Sequence, residues 1–258
     1  MLSARDRRHA ISQLTHSNGH ASVSELAAQF EVTAETIRRD LSYLESTGEL
    51  RRVHGGAVVT GPHAEEASYS DNEHRNSAQK RTIASAALAL LPDEPCSIFI
   101  DAGTSTAAFA LELAQAYNGQ RWTIVTNSLP VGMNLAGAGL TGVNVLGGAM
   151  RAYTRAVVGE EAVASLQRLR ADLAFMGTNG ISEAHGLSTP DPTEAAIKRT
   201  MVSQAHKVVA LCDSTKFNQD YLVTFANLSQ VDVVVTDHGA SPEFISMLRK
   251  HRIEVVTP

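Results

Sequence analysis

A stretch near the N terminus, residues 32–57, has the pattern of a helix followed by a hairpin. On a helical wheel, Ile37, Leu41 and Leu44 fall on one face. Thr33 precedes the helix and can accept hydrogen bonds from the unpaired amides of its first turn. The other face carries polar side chains, which are Glu35, Arg38, Arg39, Ser42 and Tyr43. We therefore expect a helix with one buried face and one exposed polar face.

The residues before this stretch predict two more helices. The first runs from Ser3 to His16. The second starts at Ser22, which has capping-box spacing to Glu25, and has an apolar side made of Val23, Leu26, Ala27 and Phe30. Because only Glu31 and Val32 separate the second helix from Thr33, the second and third helices must cross sharply. This layout is typical of a helix-turn-helix, whose second helix enters the major groove of DNA.

Two short β-like runs, residues 49–53 and 57–59, flank a pair of glycines and predict a hairpin. Such a hairpin forms the wing of a winged helix and would carry Arg51 and Arg52 toward a DNA phosphate. Arginine suits DNA because it pairs with phosphates and, bidentately, with guanine edges. The alternative is that these arginines only form a solvated surface.

Net charge gives no general attraction to DNA. The chain carries a formal charge of −5, and residues 1–60 hold seven basic and seven acidic side chains. DNA affinity must therefore come from the placement of individual arginines on one side and from having two copies of the module. The arginines expected on that side are Arg5, Arg7, Arg8, Arg38, Arg39, Arg51 and Arg52.

Beyond the hairpin, the pattern changes to short apolar runs alternating with helical stretches. The runs CSIFI, WTIVT, VNVL, DLAFM, VVALC and VVVT are continuous and rich in β-branched residues, as in a parallel sheet covered on both faces. The expected fold class is α/β, with a winged helix-turn-helix followed by a larger, mostly parallel α/β domain. We place the winged helix at residues 1–59, a linker at 60–72 and the α/β domain at 73–258, with its first helix from Glu73 to Leu91.

Small, hydroxyl, amide and glycine residues follow five of the predicted strands. In a parallel sheet, ligands bind beyond the carboxyl ends of the strands. The loop Gly103–Thr106 suits an anion, because glycine lets the backbone approach and the amides at a helix start point outward. The candidate ligand-binding residues are Lys80, Asp101, Gly103, Thr104, Ser105, Thr106, Asn127, Ser128, Gly147, Gly148, Gly177, Asn179, Gly180, Lys198, Asp213 and Lys216. For Thr104–Thr106 the alternative is helix capping, and for Lys80 and Lys198 it is ordinary exposure on a helix.

The sequence indicates no nucleotide-binding loop, disulfide or metal site. The run Gly137–Gly142 matches a dinucleotide-binding pattern but follows a helix and precedes a strand, the reverse of the required order, so we expect a turn. Cys96 and Cys212 are far apart in apolar runs and are expected to be reduced core residues. No metal site or cofactor is expected, and the lack of a leader or a long apolar run predicts a cytoplasmic protein without a membrane partner.

The segment TAETIRRDLSYLESTGELRRVHGGA resembles the DNA-binding signature of the DeoR family of bacterial sugar-metabolism regulators. The resemblance implies a DeoR-type winged helix and adds Thr36 and His54 to the expected DNA contacts.

The later motifs Lys80 before Ile83-Ala84, DAGTST, TNS, LGG, GTNGI, Lys198 and Asp213-Ser-Thr-Lys216 also resemble this family. They imply a sensor domain related to ribose-phosphate isomerases and CoA-transferases that recognises a phosphorylated sugar, and they add Thr126 to the site. The segment AHKVVALCDSTK is most similar to SugR-type repressors of phosphotransferase sugar uptake, which implies a fructose phosphate or a similar effector.

The expected function is therefore a transcriptional repressor of sugar uptake or catabolism genes, controlled by a sugar phosphate. Its partners would be double-stranded operator DNA, the effector and further copies of itself, as a dimer or tetramer, and it would associate with the nucleoid when bound to DNA. The alternative is a sugar-phosphate isomerase or deaminase with an accessory DNA-binding module. The sequence also leaves activation open instead of repression.

Overall fold

The computed structural model describes residues 4–18, 20–47, 49–53, 55–59 and 68–258. Internal contacts divide the chain into two compact units, Met1–Ala67 and Ser68–Pro258. After the functions expected from the sequence, we name them the DNA-reading unit and the sensor unit. Each has its own hydrophobic core.

The described residues of the DNA-reading unit form three helices and a small antiparallel sheet. Its elements are α1 (Ala4–Asn18), β1 (His20–Ser22), α2 (Val23–Gln29), α3 (Ala34–Ser46), β2 (Leu50–Val53) and β3 (Gly56–Val59). The Ser22 hydroxyl accepts from the amide of Glu25 at 3.1 Å, and the Thr33 hydroxyl accepts from the amide of Thr36 at 3.2 Å. Both predicted helix caps, the helix-turn-helix and the hairpin are therefore confirmed.

The hairpin of β2 and β3 gains a third strand that the sequence did not predict. Strand β1 pairs antiparallel with β3, placing Ala21 opposite Ala57 and Ser22 opposite Gly56. A Cβ at Gly56 would lie 2.3 Å from the carbonyl oxygen of Ala21, so only glycine fits at that position. The hairpin turn itself contains Gly55 with a φ of +82°.

The sensor unit is built on a seven-stranded parallel sheet. Its elements are α4 (Tyr69–His74), α5 (Ser77–Leu88), β4 (Cys96–Ile100), α6 (Thr104–Ala116), β5 (Trp122–Thr126), α7 (Leu129–Gly137), β6 (Val143–Val145), β7 (Ala149–Arg151), β8 (Ala156–Val158), α8 (Glu160–Gln167), β9 (Ala171–Gly177), β10 (Gly180–Ser182), β11 (Gly186–Thr189), α9 (Pro192–Ser203), β12 (Ala205–Leu211), β13 (Val223–Ala226), β14 (Val233–Val235), α10 (Pro242–Lys250) and β15 (Glu254–Val256). The strand order is β15-β14-β12-β9-β4-β5-β6. The predicted α/β class is confirmed.

Two antiparallel elements outside the main sheet were not predicted. Strands β10, β11 and β13 form a three-stranded sheet, and β7 and β8 form a separate hairpin. Both are made of strands of three or four residues, too short to show a period in the sequence.

Hydrophobic residues pack on both faces of the main sheet, as its continuous apolar strands predict. One core cluster includes Phe99, Met176 and Val234, and the other includes Ile98, Phe175 and Val209. Trp122, on β5, is 8% exposed and donates from Nε1 to the carbonyl of Pro92 at 3.0 Å. Cys212 is buried and Cys96 half-buried, and both are free thiols.

Two predicted boundaries need correction. Of the linker expected at residues 60–72, residues 60–67 lie outside the described residues, whereas residues 69–72 belong to helix α4. The single helix expected from Glu73 to Leu91 is two helices, because Asn76 adopts a left-handed conformation with a φ of 52°. The amide of its side chain donates to Asp213 at 3.0 Å, and this long-range contact fixes the break.

Candidate DNA-binding surface and effector site

Helix α3 presents the polar face that the sequence predicts. Ile37, Leu41 and Leu44 are buried in the core of the DNA-reading unit. Arg38 and Arg39 point away from that core and are exposed. Arg38 contacts the exposed Glu35 at 3.2 Å, and an exposed pair of this kind holds its arginine weakly. The guanidinium groups of α3 are therefore available to a ligand.

The hairpin contributes to the same surface through Arg52. Its guanidinium donates to the hydroxyl of Ser42, on α3, at 2.9 Å. Its backbone amide donates to the carboxylate of Glu45, also on α3, at 2.9 Å. These contacts place one predicted wing residue beside the predicted reading helix. His54 and the side chain of Arg51 lie outside the described residues.

Two arginines near the start of α1 make a structural contact that the sequence did not predict. Arg7 and Arg8 both donate through Nε to the carboxylate of Asp40, at 2.6 and 2.8 Å. Asp40 is on the inner side of α3 and is 1% exposed. Arg8 also lies over the ring of Tyr43, 4.0 Å from its centroid. Arg7 and Arg8 therefore hold α1 against α3, a structural role that the sequence did not predict, and their contribution to DNA affinity stays a prediction.

In the sensor unit, the loop between β4 and α6 has the geometry of an anion site. Gly103 precedes α6 with a φ of 154°, and no side chain caps the helix. The hydroxyl of Thr106 donates to the carbonyl of Gly103 at 2.9 Å and is therefore occupied. The hydroxyl of Ser105 is buried and has no hydrogen-bond partner among the described residues. Unpaired amides at a helix start attract negative charge, and a buried, unpaired hydroxyl is unusual.

Asp101, at the start of this loop, is paired with Lys198 from α9. The ammonium of Lys198 contacts Oδ2 of Asp101 and donates to the carbonyl of Gly177 at 3.2 Å. The amide of Gly177 donates to the same Oδ2 at 3.0 Å. The other oxygen, Oδ1, is buried without a partner among the described residues. Burial raises the pKa of Asp101, and the contact with Lys198 opposes that rise.

A second cluster follows β12. The carboxylate of Asp213 accepts from the hydroxyl of Thr215 at 2.5 Å and lies 3.7 Å from the ammonium of Lys216. Burial alone would raise the pKa of Asp213. The charge of Lys216 and the hydrogen bonds from Thr215 and Asn76 instead bring this pKa below its usual value. Lys80 is buried, donates to the carbonyl of Arg75 at 2.6 Å and contacts that of Asn72. Burial, reinforced by the charge of Lys216, lowers the pKa of Lys80 to about 8. The alternative that Lys80 and Lys198 are ordinary exposed lysines is wrong.

Several other predicted ligand residues are engaged in holding the fold. Asn127 accepts from the amide of Ala102 at 2.8 Å, and Ser128 caps α7 by accepting from Val131 at 3.3 Å. Thr126 accepts from the amide of Ser128 at 3.0 Å. Gly148 and Gly180 let another backbone segment approach closely. A Cβ at Gly148 would lie 2.7 Å from the carbonyl oxygen of Val158, and a Cβ at Gly180 would lie 2.2 Å from that of Gln219. The half-buried Asn179 and the exposed Gly147 follow strand ends without such packing.

A groove of about 1020 Å³ lies beside the loop that begins α6. Of the predicted site residues, it is lined by Lys80 and Thr104. The sequence did not indicate the other lining residues, which include Tyr69, Arg81, Leu111, Met133, Met150 and Arg155. No local pattern marks these residues, because they come from four separate helices and a hairpin that only the tertiary fold brings together.

The part of the chain that the structure describes holds no group of three or more His, Cys, Asp or Glu side chains arranged for a metal ion. Among the same residues, no helix is both long and apolar enough to cross a membrane.

Comparison with known proteins matches both units of the chain. Residues 7–62 match the family profile of the DeoR-like helix-turn-helix domain, and residues 75–238 match that of the DeoR C terminal sensor domain. The transcriptional regulator GlpR of Haloferax volcanii is 36% identical, over 92% of this chain and 91% of that protein. The transcriptional repressor GlcR of Bacillus subtilis is 28% identical, over 97% of this chain and 95% of that protein.

Among solved structures, ribose 5 phosphate isomerase A from Neisseria gonorrhoeae aligns at 19% identity with a TM-score of 0.38. The alignment covers 54% of this chain and 52% of that chain, too little to carry an argument about function.

Proposed function

Because this chain belongs to the DeoR family of transcriptional regulators, we propose that it represses genes of sugar uptake or catabolism and that a phosphorylated sugar changes its binding to the operator. The observation that carries the proposal is the surface of α3, where Arg38 and Arg39 are exposed and Arg52 of the hairpin lies against Ser42. The regulator is favoured over the isomerase or deaminase, because the relatives that span nine-tenths of the chain are transcriptional regulators.

In this proposal α3 lies in the major groove. Arg39 reads a base edge there, for which guanine is the natural partner, and Arg52 contacts a phosphate. Thr33, Glu35, Thr36 and Ser42 lie along or beside the same helix and complete the contact surface. Two half-sites are needed for a tight and specific complex, so the protein acts as a homodimer or as a tetramer made of two such dimers. It works in the cytoplasm and associates with the nucleoid through its operator.

The test of DNA reading is a titration of a selected operator duplex, followed by fluorescence anisotropy at fixed salt. We expect Arg39→Ala to weaken specific binding by about 1–3 kcal/mol, which is roughly 5- to 140-fold, and to relax the preference at one base pair. Arg168→Ala is the matched control, because Arg168 is also an exposed arginine but belongs to the sensor unit. Full operator affinity in Arg39→Ala would overturn the assigned reading face.

For the effector, we propose that the phosphate binds the free amides at the start of α6, beside Gly103, Thr104 and Ser105. The unpaired Oδ1 of Asp101 and the unpaired hydroxyl of Ser105 are then satisfied by sugar hydroxyls. Lys198 supports this arrangement, because its charge offsets the negative charge of Asp101 near an anion. Lys80 and Lys216 add positive charge, and a fructose phosphate is the effector we expect from the sequence resemblance.

Thermal unfolding tests the effector site. A ligand that binds the native state stabilises it by about 2.7 kcal/mol at a concentration of one hundred times its Kd. We expect fructose 1-phosphate or fructose 6-phosphate to raise the melting temperature, whereas fructose alone does not. Ser105→Ala should reduce that rise without lowering the melting temperature of the free protein. Equal stabilisation by unphosphorylated fructose would contradict the anion site.

The sign of regulation is tested in cells. Deletion of the gene should raise expression from the operator-bearing promoter if the protein is a repressor. A fall in expression would instead assign it as an activator at that promoter.

A further inference from the structure

The hairpin of β7 and β8, residues 149–158, connects three parts of the sensor unit. At its base, the amide of Val157 donates to the carbonyl of Asn127 at 2.7 Å, and the side chain of Asn127 donates to the carbonyl of Val157 at 3.2 Å. The carbonyl oxygen of the same side chain accepts from the amide of Ala102 at 2.8 Å. The base of the hairpin is therefore joined by one residue to the loop that begins with Asp101.

The tip of the hairpin holds the first helix of the sensor unit. The carbonyl of Tyr153 accepts from the amide of Tyr69 at 2.9 Å. The guanidinium of Arg155 lies over the ring of Tyr69, 4.6 Å from its centroid. Tyr69 is 5% exposed, and it opens α4 close to the point where the chain arrives from the DNA-reading unit. A guanidinium is attracted to the face of an aromatic ring, so this contact and the backbone hydrogen bond together hold the start of α4 against the hairpin.

The hairpin also contacts helix α9 and the residue that caps it. Arg151 contacts Glu194 at 2.7 Å and Asp191 at 3.3 Å, and the hydroxyl of Thr154 donates to Glu194. Glu194 lies one turn before Lys198, the partner of Asp101. A change in the position of Lys198 or Ala102 would thus reach the hairpin by two routes.

We propose that the β7–β8 hairpin transmits effector binding at the Asp101–Thr106 loop to Tyr69, so that Tyr69 and Arg155 are positioning residues for the response of DNA binding. The inference rests on the proposed function, because it assigns a route for the effector's influence on the operator. The route runs from Ala102 through Asn127 and Val157 to Arg155 and Tyr69. Neither Tyr69 nor Arg155 contacts DNA in this account.

The first experiment measures coupling, which is the ratio of operator dissociation constants with and without a saturating sugar phosphate. The probes are fructose 1-phosphate and fructose 6-phosphate. We expect Arg155→Leu to reduce the ratio by about fivefold or more, and to leave operator affinity without probe within about twofold of wild type. Tyr69→Phe should keep the wild-type ratio because it retains the ring. Arg168→Leu controls for the loss of one exposed positive charge. An unchanged ratio in Arg155→Leu would overturn the proposal.

The second experiment needs no effector. The exchange rate of the Tyr69 amide, followed by NMR on the free protein, reports its bond to Tyr153. Asn127→Ala cuts the route between Ala102 and Val157, so we expect the Tyr69 amide to exchange about tenfold faster. Asn144→Ala is the control, since Asn144 also donates from its side chain to backbone carbonyls, at 3.3 and 3.4 Å, but lies on the edge strand β6 outside the route.

These two experiments separate failure of this inference from failure of the proposed function. If neither sugar phosphate changes operator binding of the wild-type protein, the proposed effector is wrong. If the Tyr69 amide is as protected in Asn127→Ala as in wild type, the hairpin route is wrong, whatever the effector. Should Asn127→Ala fail to fold, Arg155→Leu gives the same readout, and unchanged protection of Tyr69 would likewise exclude the route.

Discussion

The pairing of Asp40 with Arg7 and Arg8 leads to a prediction about the stability of the DNA-reading unit. Asp40 accepts two short hydrogen bonds from charged donors, and its side chain is 2% exposed. Hydrogen bonds to charged groups contribute about 1.5–3 kcal/mol each, and removing one partner of a buried ion pair costs about 3–5 kcal/mol. Asp40→Asn keeps the shape and one acceptor, and Arg8 is partly exposed, so we expect a loss of about 2–4 kcal/mol.

Native-state hydrogen exchange of the Ile37 and Leu41 amides measures this loss inside α3. Because each 1.4 kcal/mol is a factor of ten, their exchange should be faster by about 30- to 700-fold. Glu35→Gln is the matched control on the same helix: its pair with Arg38 is exposed on both sides and should contribute less than about 1 kcal/mol. If Asp40→Asn accelerates exchange no more than Glu35→Gln, the structural role of Arg7 and Arg8 is refuted.

Three further predictions follow from other contacts. Gly180→Ala should destabilise the sensor unit by about 1–3 kcal/mol in chemical denaturation, because its Cβ would lie 2.2 Å from the Gln219 oxygen, whereas Gly147→Ala, which meets nothing within 4 Å, should be neutral. The pKa of Lys80 is about 8 in the folded protein against an ordinary value of 10.5, so the unfolded chain binds the extra proton between these values and stability should rise with pH through that window. Lys80→Met should show a flatter rise of melting temperature from pH 8 to 10, and a parallel rise would contradict the shift. Arg52→Ala should lower the slope of operator affinity against salt by about one, which a titration at several salt concentrations checks; an unchanged slope would mean that Arg52 does not contact phosphate.

Much of the fold could be predicted from the sequence, because its main elements are long and strongly patterned. The shared face of Ile37, Leu41 and Leu44 and the cap at Thr33 identify α3 from local sequence alone, without knowledge of distant contacts. The continuous apolar runs identify the parallel strands, since a strand buried on both faces needs no alternation. The elements that escaped prediction depend on distant partners. Strand β1 exists only through its pairing with β3, and the break at Asn76 depends on Asp213.

The candidate site could be predicted only in part, for the same reason. Strand-end residues are visible in a sequence, so Asp101, Gly103 and Asp213 could be named. Whether such a residue faces a ligand or holds the fold is decided by neighbours far along the chain. Lys198 forms an ion pair with Asp101, and the missing side chain of Gly180 leaves space for the backbone of Gln219. The arginines of α1 show the same limit, because nothing local in Arg7 or Arg8 indicates that Asp40 lies beside them.

The position of Trp122 gives the protein a built-in optical label. It is the only tryptophan of the chain, it lies in the main sheet of the sensor unit, and its indole is enclosed and hydrogen-bonded. Tryptophan emission therefore follows the melting of that unit alone, while circular dichroism follows both. A mutation that loosens only the N-terminal winged helix should change the ellipticity curve and leave the emission curve in place, so the two halves can be observed separately in one unlabelled sample.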